Sequence, residues 1–163
     1  MSSPSPRVST ASAVAPPLVV VVVAQNRTQA SALRSLLFGP GFRIAADACS
    51  PEAAEAAVVA HQPDAVLLDM APEGGGIEAI ERIMGTRPTP IVVCGEMAPH
   101  APDALAAGAV DVIGELDASP TSSQYASAVQ RHMRVASRVR VITHPRNRLR
   151  VRGLPVYDNA ALV

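Results

Sequence analysis

The chain has 163 residues, enough for one ordinary domain with a tail at either end but not for two sizeable cores. Fourteen arginines balance fourteen acids and lysine is absent, which excludes Schiff-base chemistry, a P-loop phosphate lysine and a lysine counter-ion. The neutral total hides a split: residues 1–130 hold six Arg against thirteen Asp and Glu, a net of −7, and residues 131–163 hold eight Arg against Asp158, a net of +7. The acidic larger part argues against a domain that binds nucleic acid over its whole surface.

Hydrophobic residues make up 48% of the chain, yet there is no Trp and only two Phe and two Tyr, so the core must be built from Val, Leu, Ile and Ala. Cys49 and Cys94 make no metal-ligand spacing with each other or with a histidine, and the expectation is two reduced core thiols in a cytoplasmic protein. The longest apolar run, Leu18 to Ala24, is seven residues, against the roughly 20 that cross a bilayer. Arg7 alone precedes a Ser- and Pro-punctuated stretch, a poor signal peptide. These features predict a cytoplasmic location without membrane contact.

Residues 1–17, with four Pro and five Ser, read as a disordered leader. Leu18 and the valines 19–23 then form a continuous β-branched run, the mark of an inner strand of a parallel sheet buried on both faces. Asn26 is a helix N-cap ahead of Ala30, Leu33, Leu36 and Leu37, and Gly39-Pro40-Gly41 closes that helix. Phe42–Ala46 is a second strand. Ser50, Pro51 and Glu52 open an Ala-rich helix to His61 with a cap, a first-position proline and an acid in the first turn. Ala65–Leu68 is a third strand ending in Asp69, followed by a glycine loop and a helix from Ile77 to Met84.

Ile91–Cys94 is a fourth strand, with a helix from about Pro99 to Ala107, and Val110–Ile113 is a fifth, with a helix over about Ser122–Val139. Five strand-helix units with short connections predict an α/β fold, a doubly wound five-stranded parallel sheet of flavodoxin-like order spanning residues 18–139, with a basic linker or tail over 140–163. In such a sheet, ligands sit beyond the carboxyl ends of the strands, where the first and third strands part. That edge receives Ala24 and Gln25, then Asp69, then Cys94 and Gly95, then Gly114 and Glu115.

The stretch GIEAIERIMGTRPTPIVV (76–93), together with ALAAGAVDVI (104–113), resembles the receiver domain of response regulators, closest to the regulatory domain at the front of the chemotaxis protein-glutamate methylesterases (CheB). The resemblance covers roughly residues 18–140 and implies a CheY-like fold in two-component, phosphorelay or chemotaxis-type signalling. It places Asp69 where the family carries its phosphoryl-accepting aspartate. There the acceptor works with two acids at the first strand end that help hold Mg²⁺, a Ser or Thr at the fourth and a Lys at the fifth. Phosphoryl transfer is mostly positioning and charge neutralisation, which is why a metal and a cation are needed, and Mg²⁺ wants an octahedral oxygen set with carboxylates in it.

This sequence departs from that pattern at nearly every point. Ala24 and Gln25 stand at the acidic-pair positions. The hydroxyl position falls on Gly95, or on Cys94 if the register is one shorter, and the Lys position falls on Glu115. The loop Met70-Ala71-Pro72 sets its proline one residue nearer the aspartate than the family does. A phosphoaspartate beside Glu115 would lack any offsetting cation, and unit charges 4 Å apart repel by roughly 4 kcal/mol at an effective dielectric of 20. The expectation is a non-enzymatic pseudo-receiver with no catalytic residue and no bound metal, Mg²⁺ entering only if Asp69 is phosphorylated.

Other readings are weaker on chemical grounds. Asp69 and Glu115 alone make a poor site for another cation. Glu73-Gly74-Gly75-Gly76 ahead of a helix attracts anions in principle, but neither the dinucleotide fingerprint nor a P-loop lysine accompanies it. His61, His100, His132 and His144 lie on helices or the tail and read as surface or packing residues. No nucleophile elbow is present.

On the last helix Tyr125, Val129, Met133 and Ala136 share one side while Arg131, Arg134 and Arg138 share the other. The apolar stripe should dock on the sheet and the arginines face water. Arg140 and the alternating Arg146, Arg148, Arg150 and Arg152 read as a solvated linker, with docking on the acidic body next in order. Without interleaved aromatics, contact with nucleic acid would be phosphate-led and salt-sensitive, and none is expected as the main role. The partner implied by the resemblance is a signalling protein held on the fourth helix, fifth strand and fifth helix. The alternatives are a receiver still phosphorylated on Asp69, or the truncated regulatory half of a methylesterase.

Overall fold

Val20, Val21 and Val22 have no exposed surface because their strand lies inside a sheet covered on both faces. Alternate valines face opposite ways: Val21 and Val23 join one apolar cluster, Val20 and Val22 the other, so the run is continuous rather than alternating. In this computed structural model the described residues are 15–70, 75–95, 100–114 and 122–142. They form β1 (Leu18–Val23), α1 (Arg27–Leu36), β2 (Phe42–Ala48), α2 (Pro51–His61), β3 (Ala65–Asp69), α3 (Gly76–Thr86), β4 (Ile91–Cys94), α4 (Ala101–Ala107), β5 (Asp111–Ile113) and α5 (Ser122–Ala136).

The five strands are all parallel in the order β2-β1-β3-β4-β5, the doubly wound flavodoxin-like arrangement. Leu68, Ile80, Ile83 and Val58 pack with Ala104 under α2, α3 and α4. Leu33, Leu37, Leu67, Val129 and Met133 pack under α1 and α5. The helix starts follow their caps: the Asn26 side chain accepts from the Gln29 N–H at 2.9 Å, and Ser50 Oγ accepts from the Ala53 N–H at 3.1 Å with Pro51 in the first turn. Tyr125, Val129, Met133 and Ala136 do dock in the α1/α5 cluster.

Several boundaries differ from the sequence expectation. Pairing with β1 holds β2 in line to Ala48, and a register shift lets Val20 face Ile44 while Val21 faces Ala46, which leaves Ala45 as the extra residue of a bulge. The helix α3 gains a residue at its start and two at its end, through Thr86. The first described residue of α4 is Ala101, and Pro99 lies outside the described residues. Val110 precedes β5 and donates its N–H to the Ile91 carbonyl. The last helix stops at Ala136, yet Val141, beyond the expected tail boundary, packs against the α2–α4 cluster. The leader up to residue 14 and the tail from residue 143, including His144 and Arg146 to Arg152, lie outside the described residues.

Two further corrections concern side chains. Cys94 is a core thiol, but Cys49 is exposed, because it follows the last residue of the edge strand β2. His132 is not merely a packing residue, since its Nδ1 meets Asp111 Oδ2 and ties α5 to β5. Arg82 of α3 also binds Glu78, Glu55 and Glu52 at 3.0–3.1 Å, joining α2 to α3.

Candidate functional site

The carboxyl ends of β1, β2 and β3 open into a cleft of about 390 Å³ lined by Ala24, Gln25, Asn26, Cys49, Ser50, Asp69 and Gly75. Parallel strands bring their last residues to one edge, and β1 lies between β2 and β3, so the helices on either side diverge there and leave a crevice. The cleft unites Asp69, Ala24 and Gln25 as expected from sequence. It adds Asn26, the cap of α1 just past the end of β1, and Cys49 and Ser50, which the strand count alone could have supplied because the end of β2 must reach the same edge.

Asp69 is half-buried, and burial pushes its carboxyl above the ordinary aspartate value of 3.8, because a low-dielectric surrounding disfavours the charged form. No cation offsets this among the described residues. The first strand end presents the Ala24 methyl, 4% exposed, and the Gln25 amide. No group of three or more His, Cys, Asp or Glu that could hold a metal occurs among the described residues. The donors present do not fit Mg²⁺, which needs carboxylate charge within an octahedral oxygen set.

Of the two positions weighed for the hydroxyl, Gly95 is the one that faces the carboxyl. A Cβ at Gly95 would stand 2.5 Å from Asp69 Oδ1 and 3.3 Å from the Met70 carbonyl oxygen, at a φ of +112°. The chain is drawn in there because the Met70 N–H donates to the Cys94 carbonyl at 2.9 Å. The Cys94 side chain lies in the α1/α5 cluster. Burial and the Asp69 charge push its thiol up to about 12, against a hydrogen bond with Tyr125 that lowers it. A thiol held that high is neutral and a poor nucleophile at neutral pH.

Glu115 at the lysine position, the Ala71-Pro72 segment and Glu73-Gly74 lie outside the described residues. Gly75 caps α3 with a φ of 71°, a left-handed conformation that glycine adopts without strain. No side-chain cap serves that helix.

The raised Asp69 carboxyl carries a sign that can be checked. Because its folded value lies above the unfolded one, the neutral form favours the fold, and stability is lost as pH rises through the folded value. Asp69→Asn should therefore unfold at higher denaturant than the parent at neutral pH. The gap should close as the pH falls below the ordinary aspartate value of 3.8, and paired urea melts across that range measure it.

Comparison with known proteins bears on this geometry. The response regulator receiver domain model matches residues 20–114. A protein-glutamate methylesterase/protein-glutamine glutaminase of Anaeromyxobacter dehalogenans is 36% identical over 110 residues, 66% of this chain and 32% of that protein. The chain thus spans about a third of that relative's length. Among solved structures, the response regulator domain of Thermotoga maritima CheB superposes with a TM-score of 0.66 at 25% identity, covering 77% of this chain and 99% of that one. CheY6 of R. sphaeroides, solved with the P1 domain of CheA3, shares the fold with a TM-score of 0.59 at 22% identity, over 74% of this chain and 98% of that one.

Proposed function

The chain belongs to the response regulator receiver domain family, and from that premise we propose that it is a pseudo-receiver, a signalling module that works through protein contacts without accepting a phosphoryl group. One observation carries the reading: the cleft that surrounds Asp69 has Ala24 and Gln25 at the first strand end, so the acceptor carboxylate stands without the two acids that hold the metal in the receiver pattern. A phosphoryl group arriving there would meet no divalent cation to neutralise its oxygens, and charge neutralisation is most of what the reaction needs. Gly95 adds to this, because the space that a serine or threonine would take is filled by Asp69 Oδ1 itself.

The partner is a signalling protein, bound on the face of α4, β5 and α5, where Leu105 of α4 stands 49% exposed and Asp111 of β5 meets His132 of α5. No helix among the described residues is long and apolar enough to cross a membrane, and the proposed site of action is the cytoplasm. A second reading rests on the 36% identity to the methylesterase/glutaminase relative: this chain as the regulatory part of such an enzyme. This chain spans 32% of that relative, so on this reading ester hydrolysis belongs to a separate catalytic part.

The deciding experiment is incubation with a small acyl phosphate and Mg²⁺, followed by intact-mass measurement. The mass is expected to stay unchanged. A stoichiometric gain of one phosphoryl group that disappears in Asp69→Asn would overturn the pseudo-receiver reading and restore the phosphorylated one.

A further inference from the structure

The two helical layers carry opposite charge. The helices α1 and α5 hold Arg27, Arg34, Arg131 and Arg134 and not one acid. The helices α2, α3 and α4 hold Glu52, Glu55, Glu78, Glu81 and Asp103 against the single Arg82. In the basic layer, between the end of α1 and the start of β2, lies a groove of about 600 Å³ lined by Ser31, Arg34, Leu37, Phe38, Pro40, Phe42 and Ile44, among others. It lies at the amino ends of the strands, remote from Asp69.

Two features in and next to this groove are not required by the fold. Phe38 is 89% exposed, an aromatic ring left in water on the rim of an apolar hollow. Arg134 of α5 is not part of the lining but stands next to it, its guanidinium 5.0 Å from the centroid of the lining residue Phe42, and it forms no ion pair with any described residue, whereas Arg34 in the lining is engaged by Asp47 at 2.9 Å. An exposed aromatic on an apolar hollow, with an arginine free of acids over another ring of the same hollow, is the kind of surface from which protein-binding hot spots are built.

We propose that this groove between α1 and β2, with Arg134 of α5 at its Phe42 side, binds an acidic segment of a partner protein that carries a large apolar anchor. The anchor packs against Phe38 within the hollow of Leu37, Pro40, Phe42 and Ile44, and flanking carboxylates meet Arg134. Charge complementarity decides among occupants. The leader, residues 1–14, contains Arg7 and no acid, so it adds like charge. Among the described residues, the acids a second copy would offer from its α2–α3 face, Glu52, Glu55 and Glu78, are already held by Arg82, and joining opposite faces of one molecule builds open chains rather than closed dimers. Nucleic acid would place polar base edges in an apolar lining, where their hydrogen bonds go unmade.

The test is fluorescence anisotropy of the full chain with a labelled glutamate-rich peptide carrying one central Leu-Leu pair. Its glutamine counterpart and a labelled single-stranded oligonucleotide are the comparison probes. Phe38→Ser and, separately, Arg134→Gln should each weaken peptide binding by about tenfold or more, the loss of one good contact. The glutamine peptide should bind no better than the variants do. Phe38 is solvent-exposed, so Phe38→Ser should keep the parent melting temperature, which separates lost binding from lost folding. Four results would overturn the proposal. These are equal binding of the glutamine peptide, tighter binding of the oligonucleotide, peptide binding seen only after residues 1–14 are removed, or self-association in sedimentation that Phe38→Ser abolishes. Since the groove is remote from Asp69, neither variant should alter the phosphodonor result.

Discussion

Gly95→Ser, the substitution that would put a hydroxyl at the fourth strand end, should destabilise the protein by about 3 kcal/mol, the strain of a non-glycine residue at a glycine-only backbone together with a steric conflict. Two independent costs add there. The φ of +112° lies where an L side chain is strained whatever surrounds it. The new Cβ would also stand 2.5 Å from Asp69 Oδ1, well inside contact distance, so the carboxyl or the strand end must move. Thermal unfolding should show a fall of roughly 10 °C, from the usual 2–8 °C per kcal/mol for domains of this size range. Gly95→Ala should behave alike, since the Cβ and not the hydroxyl is at fault. In an Asp69→Ala background the conflict with Oδ1 vanishes while the backbone strain and the 3.3 Å approach to the Met70 carbonyl oxygen remain, so the Gly95→Ala penalty should shrink there without disappearing. Parent-like stability of Gly95→Ser would show that the strand end relaxes freely and would remove Gly95 from the reasons for an inactive acceptor.

The contrast between what the sequence disclosed and what it withheld follows the range of the interactions involved. The valine run of β1 was legible because burial on both faces demands apolar residues at every position, and Asn26 and Ser50 were legible because a cap acts within three residues. Strand order followed from chain connectivity, and with it the meeting of Asp69, Ala24 and Gln25 at one edge. Contacts between distant segments were not legible. Nothing local to Gly95 tells of the Asp69 oxygen beside it. The Arg82 hub needs α2 and α3 to lie side by side before three glutamates can converge on it. The pairing of His132 with Asp111 likewise needs α5 laid across β5. The spacing of Cys49 shows only that it is no metal ligand, which leaves a core thiol as the expectation, whereas its place after the end of an edge strand turns it to the cleft. Phe38 follows the Leu36-Leu37 pair with nothing in the local sequence to set it apart from them, and its exposure depends on no neighbouring described element covering it.

The second large effect concerns the metal. Restoring both acids, as Ala24→Asp with Gln25→Asp, should make the protein Mg²⁺-dependent for stability, which the parent should not be. Ala24 is 4% exposed and shares the cleft with Asp69, so without metal the variant confines three carboxylates together. Each pair at about 4 Å repels by roughly 4 kcal/mol at an effective dielectric of 20, and part of that is relieved when one carboxyl takes up a proton. In a chelator the variant should therefore melt well below the parent at neutral pH and recover partially on acidification. Added Mg²⁺ supplies the missing counter-charge and the octahedral centre. At a hundredfold excess over its dissociation constant, a ligand that binds only the folded state stabilises it by about 2.7 kcal/mol, a shift in melting temperature that the parent should lack at the same salt. Sodium chloride at matched ionic strength is the control, because general screening would raise the variant without regard to cation charge or geometry. If Mg²⁺ and sodium act alike on the variant, the cleft cannot present two oxygens from the first strand end to a metal, and the loss of the acidic pair would not be what silences Asp69. If Mg²⁺ alone acts, the phosphodonor reaction should still lag in this variant, because Gly95 keeps the hydroxyl out and the chain has no lysine to place at the fifth strand end.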